Sequence, residues 1–288
     1  MGDLFILVSF DVESPYGEYG TTETGRQERK LNLKYIEQFS RLLDTFHIRR
    51  TYFILGDYLR QGKEQLGPMY LQQVFQPNNP LVEIAQHTYS HGTVLPIKTR
   101  PDRTPMSPAQ FKQELQKTNS IIEDCFGLTP SGVRMPLGYV NGFQGHKDLV
   151  EIVKDCNLDY VNADSRSPEG DVCLPFFAGD KKRQPYHYCS GVLEIPAHGW
   201  HDTVFSGRTK TLGRVDVKPW TPEKITESLN ELIFSTERLC AEDDFYLSLA
   251  FHPWSMRLFD PSLDIFNDFL CQIKPYKTFT HLDLLKRF

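Results

Sequence analysis

Leu4-Phe5-Ile6-Leu7-Val8-Ser9-Phe10-Asp11-Val12-Glu13 is the stretch from which the rest of the chain is read. Its apolar part is too short for a helix of ordinary length and ends abruptly in acids. That combination describes a strand buried on both faces, as in a parallel sheet covered by helices. Successive side chains on a strand point to opposite faces, so Asp11 and Glu13 share one face at the strand's C-terminal end.

Working outward, residues 14–30 are polar, contain Gly17, Gly20 and Gly25, and are expected to form a long functional loop. Residues 31–46 carry Leu33, Ile36, Phe39, Leu42, Leu43 and Phe46 at helical spacing, followed by a second buried strand at 51–55 (TYFIL). A helix is expected over 63–75 and a short strand over 81–84, which delivers His87 and His91 just past its end. The Pro-rich residues 96–108 form a loop, Ser107 caps a helix reaching Phe126, and Gly127 stops it. Val133-Arg134 is the next strand end. Beyond it lie a helix over 146–156, strands over 160–162 and 191–195, and a helix from Pro222 to about 239 capped by Thr221. The run 245–251 (FYLSLAF) is a buried strand that ends at His252, and a helix over 262–273 precedes an edge segment near Phe279. Strands alternating with helices, with polar residues gathered at strand ends, predict an α/β fold whose parallel sheet closes into a barrel or distorted barrel. No repeat, linker or low-complexity segment interrupts the 288 residues, so residues 1–288 are expected to form one domain.

Composition excludes several classes. With 40% hydrophobic and 24% charged residues the chain is an ordinary globular protein, and a net charge of −5 offers no attraction for nucleic acid or anionic membrane. The basic cluster Lys181-Lys182-Arg183 is expected to be a solvated loop. No apolar run approaches the roughly 18 residues of a membrane span, and Met1-Gly2-Asp3 opens neither a signal peptide nor, with Ile6 where Ser or Thr is required, a myristoylation motif. A cytoplasmic protein is expected. The six cysteines (125, 156, 173, 189, 240 and 271) contain no Cys-x-x-Cys pair, and Cys125, Cys240 and Cys271 fall in helical patterns as small buried apolar residues.

Chemistry gathers at four strand ends: Asp11-Val12-Glu13, His87-Thr88-Tyr89-Ser90-His91, Arg134-Met135-Pro136-Leu137-Gly138 and His252-Pro253. In this order and spacing they resemble the polysaccharide deacetylase family, the NodB-homology domain or carbohydrate esterase family 4, from residue 4 to about 256. The Asp-x-Glu first motif is similar to the peptidoglycan deacetylase and allantoinase-like branch. The resemblance implies a distorted (β/α) barrel of about seven parallel strands and metal-dependent hydrolysis of an amide C–N bond. The expected reaction is N-deacetylation of an N-acetylated amino sugar.

His87 and His91, four apart, sit on one side of a helical turn in this reading and reach one ion. Glu13 is the third ligand, leaving positions open as a catalytic metal site requires. Zn²⁺ is the expected metal, with Co²⁺, Ni²⁺ or Mn²⁺ as alternatives. From the same resemblance Asp11 is the general base, and Arg134 orients it through a bidentate pair. The backbone N–H of Leu137 is an oxyanion donor, and His252 is the acid that protonates the leaving amine. Asp164 is the expected acid partner of His252. Leu137 stands where relatives carry an aromatic residue, so either the acetyl pocket is more apolar or Tyr139 takes that role. Glu194-Ile195-Pro196, His198, Trp200, His201 and Asp202 line the substrate groove, form a second metal site, or stabilise a loop. The alternative substrates are another amide, such as a cyclic imide, ureide or formyl amide. A silent carbohydrate-binding relative is a third reading, and homo-oligomerisation stays open.

Overall fold

The computed structural model describes residues 2–13, 21–167, 176–178, 181–203, 221–241 and 243–288. Part of the expected polar loop, residues 14–20, and Cys173 lie outside the described residues. In chain order the elements are β1 (Leu4–Val12), α1 (Glu23–Thr45), β2 (Arg50–Ile54), α2 (Gly56–Leu66), α3 (Pro68–Phe75), β3 (Val82–Gln86) and α4 (Pro108–Phe126). They continue with β4 (Gly132–Tyr139), α5 (Lys147–Asp155), β5 (Tyr160–Asp164), β6 (Phe177–Ala178), β7 (Lys181–Lys182), β8 (Tyr186–His187) and β9 (Leu193–Glu194). The last are α6 (Pro222–Glu237), β10 (Phe245–Phe251), α7 (Pro253–Phe259), α8 (Asp264–Ile273), β11 (Lys277–Thr278) and α9 (His281–Leu285).

The sheet runs β10-β1-β2-β3-β4-β5-β9-β8, with β11 pairing β1 on the side. Every neighbour from β10 to β9 is parallel, so seven parallel strands form the wall, and only β8 runs antiparallel. Alternation on β1 sorts the two cores. Leu4, Ile6, Val8, Phe10 and Val12 face the helices, where Phe10 stacks on Phe39 with ring centroids 4.5 Å apart. Phe5 and Leu7 pack instead with Phe53, Ala85, Tyr160, Leu193 and Leu284 in the interior.

The barrel is distorted at two seams. Between β3 and β4 a single registered pair joins Gln86 to Val133. Between β9 and β10 the wall is closed by the segment that follows β9: the His198 N–H donates to the Ser248 carbonyl at 3.0 Å, and Trp200 bridges Ala250. The second seam is reinforced by imidazoles, since His198 Nδ1 and His201 Nδ1 accept the N–H groups of Ser248 and Ala250, each at 3.1 Å.

Several expectations shift. α1 begins at Glu23 with Thr22 as its cap, two turns before the apolar pattern starts; Arg29, buried there, donates to Gln61 and Gln65 of α2 and makes a polar turn part of the packing. The single helix expected over 63–75 is two, broken where Gly67 takes φ 81° before Pro68. As expected, Ser107 caps α4, which reaches Phe126 and stops at Gly127; Gln110 completes a capping box with Ser107. Lys181 and Lys182 form β7 rather than a solvated loop, and Arg183 is buried against Asp164. Cys125 and Cys240 are buried as expected, whereas Cys271 lies on the outer face of α8 and is exposed. No helix among the described residues is long and apolar enough to cross a membrane.

Phe39→Ala removes a ring that touches Phe10, Tyr35, Tyr52 and Phe266. It is expected to cost about 3–5 kcal/mol of stability, read as a lowered urea midpoint at unchanged slope.

Candidate metal centre and active site

β1 brings Asp11 and Glu13 to the C-terminal end of the barrel on the inward face, with Val12 turned into the helix layer. Asp11 is held from below by Arg134, which is fully buried. Its Nη1–H donates to Asp11 Oδ1 at 2.5 Å, Nη2–H to Ser9 Oγ at 2.6 Å and Nε–H to Asn162 Oδ1 at 2.8 Å. The guanidinium lies 4.1 Å from the centroid of the Phe53 ring. The expected bidentate pair is therefore a single-point contact. Because the fork is shared among β1 and β5 residues, it ties strands together while it orients Asp11, whose Oδ2 faces His252 Nε2 at 3.8 Å.

His87 follows β3 directly. Its Nδ1–H donates to the Arg134 carbonyl at 2.9 Å, which leaves Nε2 bare and directed toward Glu13, 3.7 Å from Oε2. A backbone carbonyl that fixes the tautomer in this way is the usual arrangement behind a metal-ligating imidazole. His91 Nε2 lies 2.8 Å from the same Glu13 oxygen. The donor atoms of Glu13, His87 and His91 all fall within 4.8 Å of one another, and two imidazoles plus one carboxylate suit a divalent cation of the zinc type. The segment between the histidines is not the expected helical turn. Thr88 and His91 both take left-handed backbone, φ 60° and 62°, and the loop wraps against the N-terminus of α2, where the Gly56 N–H donates to the Thr88 carbonyl at 2.8 Å. A Cβ at Gly56 would lie 2.9 Å from the Tyr89 ring and 2.6 Å from Thr118 Oγ1, so the close approach depends on glycine.

Burial alone would raise the Glu13 carboxyl, but His91, then His252 and His87, outweigh it and hold it down at about 2. Burial lowers His87 to about 4, so its ring is neutral and its lone pair available near pH 7. Burial also opposes charge on His252, yet the carboxylate of Asp202, with Asp11 and Glu13 behind it, brings it up to about 9.

Asp202 is the residue that sequence reasoning left without a role of its own. Its Oδ1 lies 2.9 Å from His252 Nδ1, and it is buried just after the segment that closes the barrel beside β10. The only signal for it was an acid directly following that segment. Asp164, the expected partner, is corrected: its carboxylate accepts from Arg183, two strand positions beyond the Asn162 that holds Arg134. His198 is likewise spent in the wall, with Nδ1 accepting from Ser248 and Nε2–H donating to the Arg183 carbonyl at 2.9 Å, and burial lowers it to about 3. Tyr139 is a core residue, stacked on Phe143, whose hydroxyl accepts the Val94 N–H at 2.8 Å. Trp200 is buried against Arg166, whose guanidinium carbon lies 5.3 Å from the ring centroid, and offers no open stacking face. Leu137 stands at the irregularity of β4 with φ 62°, and its carbonyl takes Nε–H and Nη2–H of Arg166 at 3.1 and 2.8 Å.

Residues 14–161 match the family described as Polysaccharide deacetylase, just over half of the chain. The chain belongs to the polysaccharide deacetylase family. No curated protein matches it. Among solved structures, this family member is similar to a Mycobacterium smegmatis protein described as a polysaccharide deacetylase, at 15% identity and a TM-score of 0.68 over 99% of this chain and 90% of that one. It is also similar to PuuE allantoinase, at 14% identity and 0.64 over 98% and 89%. A third neighbour is a CE4-family pseudoenzyme from Bacillus anthracis, at 12% identity and 0.51 over 98% and 65%. At these identities the likeness is one of fold. Since a pseudoenzyme shares it, activity in this polysaccharide deacetylase family member has to be argued from the rim residues.

Next to the rim, Glu194 knits β9 to β5, accepting the N–H groups of Ala163 and Asp164 at 2.8 and 2.9 Å and bonding Tyr188 through its other oxygen. Burial and the nearby Asp164 push its carboxyl from 4.5 up to about 8, so the folded state favours the protonated form. The stabilisation is complete below the unfolded value near 4.5 and is lost as the pH rises toward 8. Urea midpoints of the wild type are expected to fall across that window, and those of Glu194→Gln to fall less. Parallel profiles for the two proteins would refute the assignment.

Proposed function

We propose that this chain is a metal-dependent amide hydrolase that removes an N-acetyl group from an amino sugar. One observation carries the reading: a metal-type triad, a buried carboxylate held by an arginine, and a histidine–aspartate pair converge at the C-terminal end of one barrel. A divalent cation bound by Glu13, His87 and His91 would supply Lewis acidity to a carbonyl and make water a better acid.

The chain's own groups supply the proton transfers. Asp11, fixed through Oδ1 by Arg134, keeps Oδ2 available to take the proton of the attacking water. As the C–O bond forms, the carbonyl oxygen gains negative charge. The N–H of Leu137, in the turn clamped by Arg166, is the proposed donor to that oxygen. His252, kept protonated by Asp202, then delivers its proton to the nitrogen as the C–N bond breaks, releasing acetate and the free amine. A carboxylate poised as base and an imidazolium poised as acid, within 4 Å of each other, form the complementary pair that this reaction requires.

The purified protein is expected to bind one Zn²⁺ per chain and to release acetate from N-acetylated amino sugars. Asp11→Asn and His252→Ala should each lower kcat by about 10²–10⁴-fold while retaining the metal. His87→Ala should lose the metal and activity together. A protein that binds no divalent cation and cleaves no amide across N-acetyl sugars, cyclic imides, ureides and formyl amides would sink the proposal, and full activity in Asp11→Asn would sink the assigned base.

A further inference from the structure

We infer that Glu114, on α4, is a positioning residue for the metal centre: it fixes the loop that presents His91 and so sets the affinity for a divalent cation. The loop between His87 and His91 contains two non-glycine residues in left-handed backbone, Thr88 among them with a branched Cβ. Such a conformation persists only where the surroundings over-determine it. Here they do so from two sides. The loop's carbonyls are taken by α2, through Gly56 N–H to Thr88 and Asp57 N–H to Tyr89 at 2.8 and 3.0 Å. Its N–H groups are taken by one carboxylate oxygen: Glu114 Oε2 accepts from Tyr89 N–H at 3.0 Å, Ser90 N–H at 2.7 Å and Ser90 Oγ–H at 3.0 Å.

α4 itself is firmly placed. Its capping box closes the N-terminus, the Thr118 hydroxyl donates to the Glu114 carbonyl at 2.9 Å, and Lys117 lies 3.4 Å from the centroid of the Tyr89 ring. Glu114 does not belong to the triad and acts through the loop. Without its acceptor the backbone at residues 88–91 can relax toward an unstrained conformation. His91, the more exposed of the two imidazoles and the one against Glu13, is the ligand that such relaxation displaces.

The inference rests on the metal reading of Glu13, His87 and His91, and its test separates the two. Zn²⁺ dissociation constants are measured by competition with a chromophoric chelator, beside amide hydrogen exchange at Tyr89 and Ser90 in metal-free protein. Glu114→Ala is expected to weaken Zn²⁺ binding about 10–100-fold, the range found for outer-shell partners of metal ligands, and to speed exchange at both amides. Glu114→Gln, which keeps an acceptor oxygen at the same reach, should stay within a few-fold of wild type. Glu114→Asp keeps the charge but withdraws the acceptor, and it should bind as weakly as the alanine variant; it serves in its place if the alanine variant does not fold. Wild type that binds no Zn²⁺ overturns the metal reading and this inference together. Tight wild-type binding with unchanged constants in Glu114→Ala or Glu114→Asp overturns this inference alone, as does an equal loss in Glu114→Gln.

Discussion

The buried guanidinium of Arg134 is the constraint around which the rest of the barrel is arranged. A cation with no access to water is costly unless its donors are matched, and removing one partner of such a group leaves the other exposed to the same penalty. Here the match is drawn from three strands, Asp11 and Ser9 from β1, Asn162 from β5 and the face of Phe53 from β2, around a residue carried by β4. β3 joins through His87, whose Nδ1–H binds the carbonyl of the same arginine. The interior therefore cannot be uniformly apolar. It is apolar at the level of Phe5 and Leu7, polar at the level of Ser9, and acidic at the level of Asp11 and Glu13, in steps of two residues along one strand.

The wall is irregular at two places, the seams at β3/β4 and β9/β10, where pairing thins. At both, imidazole nitrogens stand in for main-chain groups: His87 donates to a β4 carbonyl, while His198 and His201 accept N–H groups of β10. An imidazole can do so without cost in charge because burial keeps all three rings neutral. The Asp202–His252 contact follows from this closure, since the segment that seals the second seam delivers Asp202 beside the end of β10.

What could be read in the chain divides along the same line. Strand alternation in residues 4–13, the apolar run 245–251, the Ser107 cap and the joint order of Asp11, Glu13, His87, His91 and Arg134 are local patterns, and the folded chain keeps them together. Misread or left open were residues whose part depends on a distant partner. The start of α1 is capped by Thr22 and tied to α2 by Arg29, and a polar turn carries no periodicity to announce that. His198 and Trp200 could line a groove, hold a metal or stabilise a loop, and only β10, some fifty positions on, reveals that they are wall. Asp164 and Asp202 are both acids after a strand, and nothing short of the position of Arg183 decides which of them is left to meet His252.

The division of labour in the proposed site follows from environments rather than from residue types. Glu13 and His252 are both buried and stand 3.7 Å apart, yet they are pushed in opposite directions, the carboxyl down to about 2 and the imidazole up to about 9. Each stabilises the charge on the other, but the pairs behind them differ. Glu13 is backed by His91, so its charge is turned toward the triad, whereas His252 is backed by Asp202 on the side away from it. A divalent cation in the triad would offset the charge of Glu13, leaving Asp202, ahead of Asp11, as the carboxylate that most favours the protonated imidazole. In the proposed scheme the acid His252 is thus held by Asp202, which the segment closing the barrel's second seam sets beside the end of β10.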